Sequence, residues 1–315
     1  PLQQQQQQQP QQPRSQQPPG AHLQQQQPPT PQLPPQPAVG DAEALAAVES
    51  LYQDELKPYG RILRKRLAER AQERGQGSVD IDIRHLKSAC EVCQWLLVQA
   101  EEGGDWSALM KGRQSAFVDV YSPVDIYAPE LWVSAAAYFG GLDDSNMVLP
   151  GGRYSCAQVL MGRGLAFLQG RTLGQVCHIV QLAISQKKLL GYLNGAVVPY
   201  SRSQSMVKER CAERQRPCTS AARGTSTLAG WDNVRSCLQE IIGGMSPGVE
   251  TIPLSNLKRL FRSRFHIELS ETSLGYAKLS ELLQDQRLRD VCSVRLQGHG
   301  YVVVPLLGQL PQLAT

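Results

Sequence analysis

The first 37 residues limit what this chain can fold into. Between Pro1 and Pro37 stand 17 glutamines and 11 prolines, and Arg14 is the only Lys, Arg, Asp or Glu. So little apolar surface does not offset the entropy lost on ordering the backbone. Residues 1–40 are therefore read as a disordered, low-complexity, polyglutamine-rich tail, a spacer or a weak self-association segment. Folding begins near Gly40, and the remaining ~275 residues are enough for a sizeable core and two domains.

Charge and cysteine usage narrow the class. The chain has 32 basic and 28 acidic residues, a net charge of +4, too mild to mark a nucleic-acid binder by itself. No run of 18 apolar residues exists, so no membrane span or membrane partner is expected. No basic segment followed by an apolar one opens the chain, so no secretory signal is expected. Eight cysteines, at 90, 93, 156, 177, 211, 218, 237 and 292, are widely spread. They are read as reduced thiols, with the cytoplasm as the expected compartment and the nucleus still open.

From 42 to 200 the pattern predicts an α-rich domain. Leu45, Val48, Leu51, Tyr52 and Leu56 recur helically, and after Pro58 so do Ile62, Leu63 and Leu67. Pro58 splits the stretch. Arg61, Arg64, Lys65, Arg66, Arg70 and Arg74, interleaved with Glu69 and Glu73, read as a solvated face. A second helix is expected over Ile83–Glu101, its stripe Leu86, Cys90, Cys93, Leu97 and Ala100. Further helices are expected at Trp132–Phe139, Ser155–Leu168 and, capped by Thr172, to about Leu190. Asn194-Gly195 between two apolar pieces signals a hairpin. Helix then hairpin is either the closing half of a winged helix or a cap on a larger α-rich domain. Residues 201–230 read as a flexible basic linker, with a short helix allowed at Ser205–Gln215.

Residues 231–307 read helix, short strand, helix, turn, helix, hairpin, the order of a winged helix-turn-helix. Trp231–Ile242 is the first helix. Ser255–Phe265 is the second, with Lys258, Arg259, Arg262 and Arg264 and no acid from 255 to 267. The third holds Leu274, Tyr276, Leu279, Leu282 and Leu283. The strands Val291–Leu296 and Tyr301–Pro305 close the unit, and a tail follows over 308–315.

Within this unit Ile252-Pro-Leu254, Leu260-Phe261, Phe265, Leu274-Gly-Tyr276, Lys278-Leu279 and Leu282-Leu283 resemble the OST-HTH domain, also called LOTUS. The 42–200 segment resembles the OST-HTH-associated (OHA) domain through Gly151-Gly-Arg-Tyr154, Leu173-Gly174 through Leu190-Gly-Tyr192, and Val198-Pro-Tyr200. The resemblance implies RNA metabolism, since LOTUS domains occur in germ-granule and small-RNA-pathway proteins. Some bind RNA, G-quadruplexes among it. An extended subclass docks a DEAD-box helicase and needs a further helix after the wing. Here Pro311 interrupts the few residues after Leu307, so the minimal, RNA-binding subclass is expected.

The expectation is a non-enzymatic RNA-binding regulator that contacts structured or single-stranded RNA in a ribonucleoprotein assembly. The alternative is a scaffold that docks a protein such as a DEAD-box helicase. Over 231–307 nine basic residues face eight acidic ones, so clustering matters more than the sum. The expected RNA-binding residues are Lys258, Arg259, Arg262, Lys278, Arg287, Arg289, Arg295 and His299. Lys258 and Arg262, four apart on one helical face, lead the ranking, and Arg264 comes last. No cofactor is expected. No metal is expected either: Cys90-x-x-Cys93 lacks a second ligand pair and falls on a core stripe. His178 reads as a satisfied helix histidine. The pairs Asp80/Asp82 and Asp143/Asp144 lack further carboxylates for a two-metal nuclease.

Overall fold

The computed structural model describes residues 40–75, 80–218, 227–245, 248, 250–297 and 300–306. The expected tails at 1–40 and 308–315 lie essentially outside them. The described chain is mainly helical with small sheets.

The break at Pro58 falls between α1 (Asp41–Gln53) and α2 (Gly60–Glu73). The two pack through Ala44, Ala47, Val48, Leu51, Leu63 and Leu67, all buried. The basic face of α2 is not uniformly solvated, because Arg66 is buried. Its Nε donates to the Tyr154 hydroxyl at 3.0 Å, and its terminal nitrogens reach Ser50 of α1 and Asp54 just after it. Glu69 lies 3.4 Å from the same Nε and accepts from the Tyr154 hydroxyl at 2.7 Å. A buried guanidinium needs all of these acceptors.

The expected Ile83–Glu101 helix is half strand. Helix α3 (Ile83–Val92) starts on Asp82, which accepts from the Arg84 and His85 amides, and ends before Cys93. The chain then forms the hairpin of β1 (Leu96–Ala100) and β2 (Trp106–Met110). Gly103 and Gly104, both at positive φ, shape its turn. A helical reading places Leu97 inward; in the strand Leu96 takes the core position and Leu97 is exposed.

Helix α4 (Pro129–Gly140) precedes α5 (Arg153–Gly162). The latter stops short of the expected Leu168 because Gly164 adopts φ +63°. Thr172 caps α6 (Leu173–Ser185) by accepting from the Gln175 amide. The Asn194-Gly195 hairpin forms as β3 (Leu190–Leu193) against β4 (Ala196–Pro199), with both turn residues at positive φ. Leu149 bridges to Val197, and a Cβ on Gly151 would collide with the Gly195 carbonyl. Gly151 thus lets the hairpin turn close over the start of α5.

The stretch expected as linker holds α7 (Gln204–Glu213), capped by Ser203. The Cys218 amide beyond it donates to Thr272 Oγ1 at 3.0 Å. Next come β5 (Thr227–Leu228), α8 (Trp231–Gly243), β6 (Ile252–Pro253), α9 (Leu254–Phe265) and β7 (Ile267–Glu268). The expected third helix is fragmented into a turn at Thr272–Leu274, α10 (Leu279–Leu282) and a turn at Gln286–Leu288. Gly275 at φ +90° ends the first turn, and Asp285 starts the last by accepting from the Arg287 amide. Finally β8 (Cys292–Gln297) pairs with β9 (Gly300–Pro305), giving a sheet of order β6-β9-β8. A second core of Val234, Leu238, Leu257, Phe261, Leu282, Leu283 and Val303 sits beneath it.

The Arg66 network yields a stability prediction. Arg66→Ala removes the cation that Asp54 and Glu69 share and leaves the Tyr154 hydroxyl only its bond to Glu69, and should cost about 3 kcal/mol in denaturant unfolding. Arg61→Ala, which removes an exposed pair with Asp105, should stay within about 0.5 kcal/mol. Equal effects would contradict the assignment.

Candidate nucleic-acid interface

Of the α9 cations, Lys258 and Arg262 are expected to lead and Arg264 to come last, and the structure gives each different surroundings. Two buried glutamates follow the helix. Glu268, on β7, accepts two bonds from Arg262 Nη2 at 2.8–3.0 Å and one from Nε at 3.0 Å. Glu271 is buried beside Ser270 and Thr272 and meets the Lys258 ammonium. Its other oxygen accepts from Lys208 of α7 at 3.2 Å. Lys258 and Arg262 do share a face, and that face turns toward carboxylates of the same chain.

Electrostatics explain the arrangement. Burial by itself would raise the Glu271 pKa. The Lys258 ammonium, the backbone amide of Glu271 and the Lys208 charge outweigh it and hold the carboxyl below its ordinary range. Both lysines are partly exposed, so the pairing is buried on the acid's side and partly hydrated on the base's.

The other expected residues are dispersed. Arg259 projects outward from α9, and among the described residues it joins no ion pair. Arg264 reaches toward Gly244 at the end of α8. Lys278 pairs with Glu281 at 3.2 Å on the surface. Arg287 lies 4.2 Å over the Trp231 ring, a cation–π contact that holds its guanidinium at the surface. Nearby, Arg235 holds Asp290 and the Arg287 carbonyl. Arg289 is exposed, and Arg295 is exposed on β8. His299 lies outside the described residues. Among the described residues of the unit, the exposed cations without a carboxylate partner are Arg259, Arg264, Arg289, Arg295 and Arg287 over Trp231.

The set-aside groups have structural partners. Asp82 caps α3, and Asp143 closes a turn by accepting from the Ser145 amide. His178 is buried; Nε2 donates to the Ser122 carbonyl and Nδ1 meets the Tyr127 hydroxyl, each at 3.0 Å. Cys90 and Cys93 are buried, and burial, ahead of the neighbouring Cys93, Glu91 and Asp41, pushes the Cys90 thiol up to about 12. Among the described residues no three His, Cys, Asp or Glu side chains converge on a common point. No helix among them is long and apolar enough to cross a membrane.

Sequence reasoning missed the two buried glutamates. The signal was present: an acid-free run from 255 to 267 followed at once by Glu268 and Glu271, within reach of a helix that ends there. It also missed the exposed Leu296 and Tyr301 of the β8–β9 hairpin.

Comparison with known families adds one match. Residues 143–213 match the family model of the OST-HTH Associated domain. The OST-HTH Associated match runs from the turn before α5 to the last residue of α7, past the boundary expected at 200. It includes Gly151-Gly-Arg-Tyr154, the hairpin, and Lys208, which reaches Glu271. No curated protein and no solved structure matches the chain.

The Glu271 site predicts an acid-side loss of stability. A carboxyl with a depressed folded pKa contributes fully above its ordinary value of 4.5. That contribution is lost as pH falls through the lower folded value. Unfolding free energy should therefore drop across this window in the parent and less steeply in Glu271→Gln. Lys258→Ala should cost about 2 kcal/mol near neutrality, because Lys208 remains to share the charge. An acid dependence that Glu271→Gln leaves unaltered would contradict the assignment.

Proposed function

We propose that this chain is a non-enzymatic RNA-binding regulator whose 231–307 unit is a winged helix-turn-helix of the OST-HTH type. The observation that carries the proposal is the OST-HTH Associated match at 143–213, next to a unit of α8, α9, turns and a terminal hairpin in the order such a domain requires. The description of the matched family associates it with OST-HTH domains.

In this reading Arg259, Arg289 and Arg295 contact phosphates, and Arg287, held over Trp231, offers a cation to bases or phosphates. Lys258 and Arg262 serve chiefly to neutralise Glu271 and Glu268, which leaves less of their charge for phosphate. Lys278, paired with Glu281 on the surface, is assigned to the same group; His299, also expected there, lies outside the described residues. The expected setting is a cytoplasmic ribonucleoprotein assembly in which the Gln/Pro tract promotes association.

One observation favours the scaffold reading. Two of the four α9 cations are occupied by carboxylates of the same chain, which leaves fewer for phosphate. A protein-docking surface, free of phosphate contacts, would bind a partner such as a DEAD-box helicase with little salt dependence.

The two readings separate in a salt titration of the full chain against a labelled single-stranded RNA. Phosphate contacts release counterions, so affinity should fall steeply with salt, and Arg259→Ala or Arg295→Ala should each lower the slope by about 0.7. Both variants should remain folded, because exposed charges contribute no more than about 0.5 kcal/mol. No RNA binding at any salt concentration would leave the scaffold reading in front.

A further inference from the structure

The β8–β9 hairpin carries an apolar pair that the fold does not use. In an antiparallel ladder residues directly opposite share a face, and the face repeats every second residue. Val294 stands opposite Val303, and Leu296 opposite Tyr301. The first pair serves the core: Val303 is fully buried and Val294 packs on the cluster around Phe261. The second continues the same side of the hairpin beyond the core, where Leu296 is 66% and Tyr301 52% exposed. The core-facing side of the hairpin therefore overhangs the domain by one cross-strand pair.

The size and chemistry of this overhang limit its occupant. Two side chains present far less than the roughly 800 Å² per partner of a standard protein interface. An aromatic ring with an aliphatic neighbour is the size of a single base and offers it a π-face. Arg295, between Val294 and Leu296, projects from the other face of the hairpin opposite Val302, is exposed, and has no carboxylate partner among the described residues. The pair offers an unpaired nucleotide its stacking surface, and phosphate contact falls to exposed arginines elsewhere on the unit, Arg295 on the reverse face among them. In a regular duplex the base faces are already stacked and are closed to such a platform.

We infer that Tyr301, backed by Leu296, stacks on an unpaired base of bound RNA, so the chain selects RNA with unpaired, accessible bases over regular duplex. This rests on the RNA-binding reading above and names the ligand class for it. Tyr301 supplies a sequence-tolerant, salt-insensitive part of the affinity, and the arginines supply the salt-sensitive part.

The test uses the full chain with an unstructured single-stranded RNA and the matching duplex, by fluorescence anisotropy at two salt concentrations. Tyr301→Ala should weaken single-strand binding by at least about 5-fold while leaving the salt slope unchanged. Tyr301→Phe keeps the ring and should bind like the parent, and Leu296→Ala should weaken binding less than Tyr301→Ala. Duplex binding should be weaker in the parent and insensitive to Tyr301→Ala. Circular dichroism melts report whether each variant folds; if Tyr301→Ala does not, Leu296→Ala against Tyr301→Phe carries the comparison. Salt-dependent single-strand binding that Tyr301→Ala and Leu296→Ala leave unaltered would overturn the stacking inference and spare the RNA reading. A parent that binds neither RNA would overturn both.

Discussion

The buried carboxylate of Glu271 is the constraint around which the second half of the molecule is arranged. A glutamate removed from water must be met by charge or protonated. Here it is met from two directions, by Lys258 of α9 and by Lys208 of α7. Helix α7 closes the stretch that matches the OST-HTH Associated domain. One carboxylate therefore ties that stretch to the unit of α8, α9 and the terminal hairpin, and the Cys218–Thr272 bond reinforces the contact. A similar device operates at the other end, where the Arg66 guanidinium joins α1 and α2 to Tyr154 of α5.

These constraints set how the cations divide. A helix with four basic residues and no acids reads naturally as a phosphate-binding face. Half of that charge instead offsets carboxylates the fold has buried. Among the described residues, the cations of this unit that no carboxylate meets are Arg259, Arg264, Arg289, Arg295 and Arg287, which lies over Trp231.

Much of the helical frame was legible from periodicity. The split at Pro58, the Thr172 cap and the Asn194-Gly195 turn all depend on local backbone chemistry, which neighbouring residues determine. The misreadings share a cause. Leu96-Leu-Val-Gln-Ala satisfies a helical stripe and a strand alternation equally, and the Gly103-Gly104 turn decided the outcome. The run from Leu274 to Leu283 has helical spacing, yet Gly275 at positive φ breaks it. Arg66, Lys258 and Arg262 were misjudged because their partners lie on other elements or beyond a turn. Charge on a helix face does not reveal whether an acid will fold back onto it. The exposed Leu296–Tyr301 pair was hidden for the converse reason: alternation marks the inward face of a strand, and says nothing of where the core beneath it ends.

The most direct test of this account is to map where RNA touches the intact chain. Photo-crosslinking with a 4-thiouridine-containing single strand, followed by mass spectrometry of the adducts, reads contact residue by residue. The account predicts adducts on the β8–β9 hairpin around Tyr301 and on peptides bearing Arg259 or Arg287, with none on the buried Glu268–Thr272 segment. Adducts confined to residues 42–213, with none between 252 and 305, would contradict it.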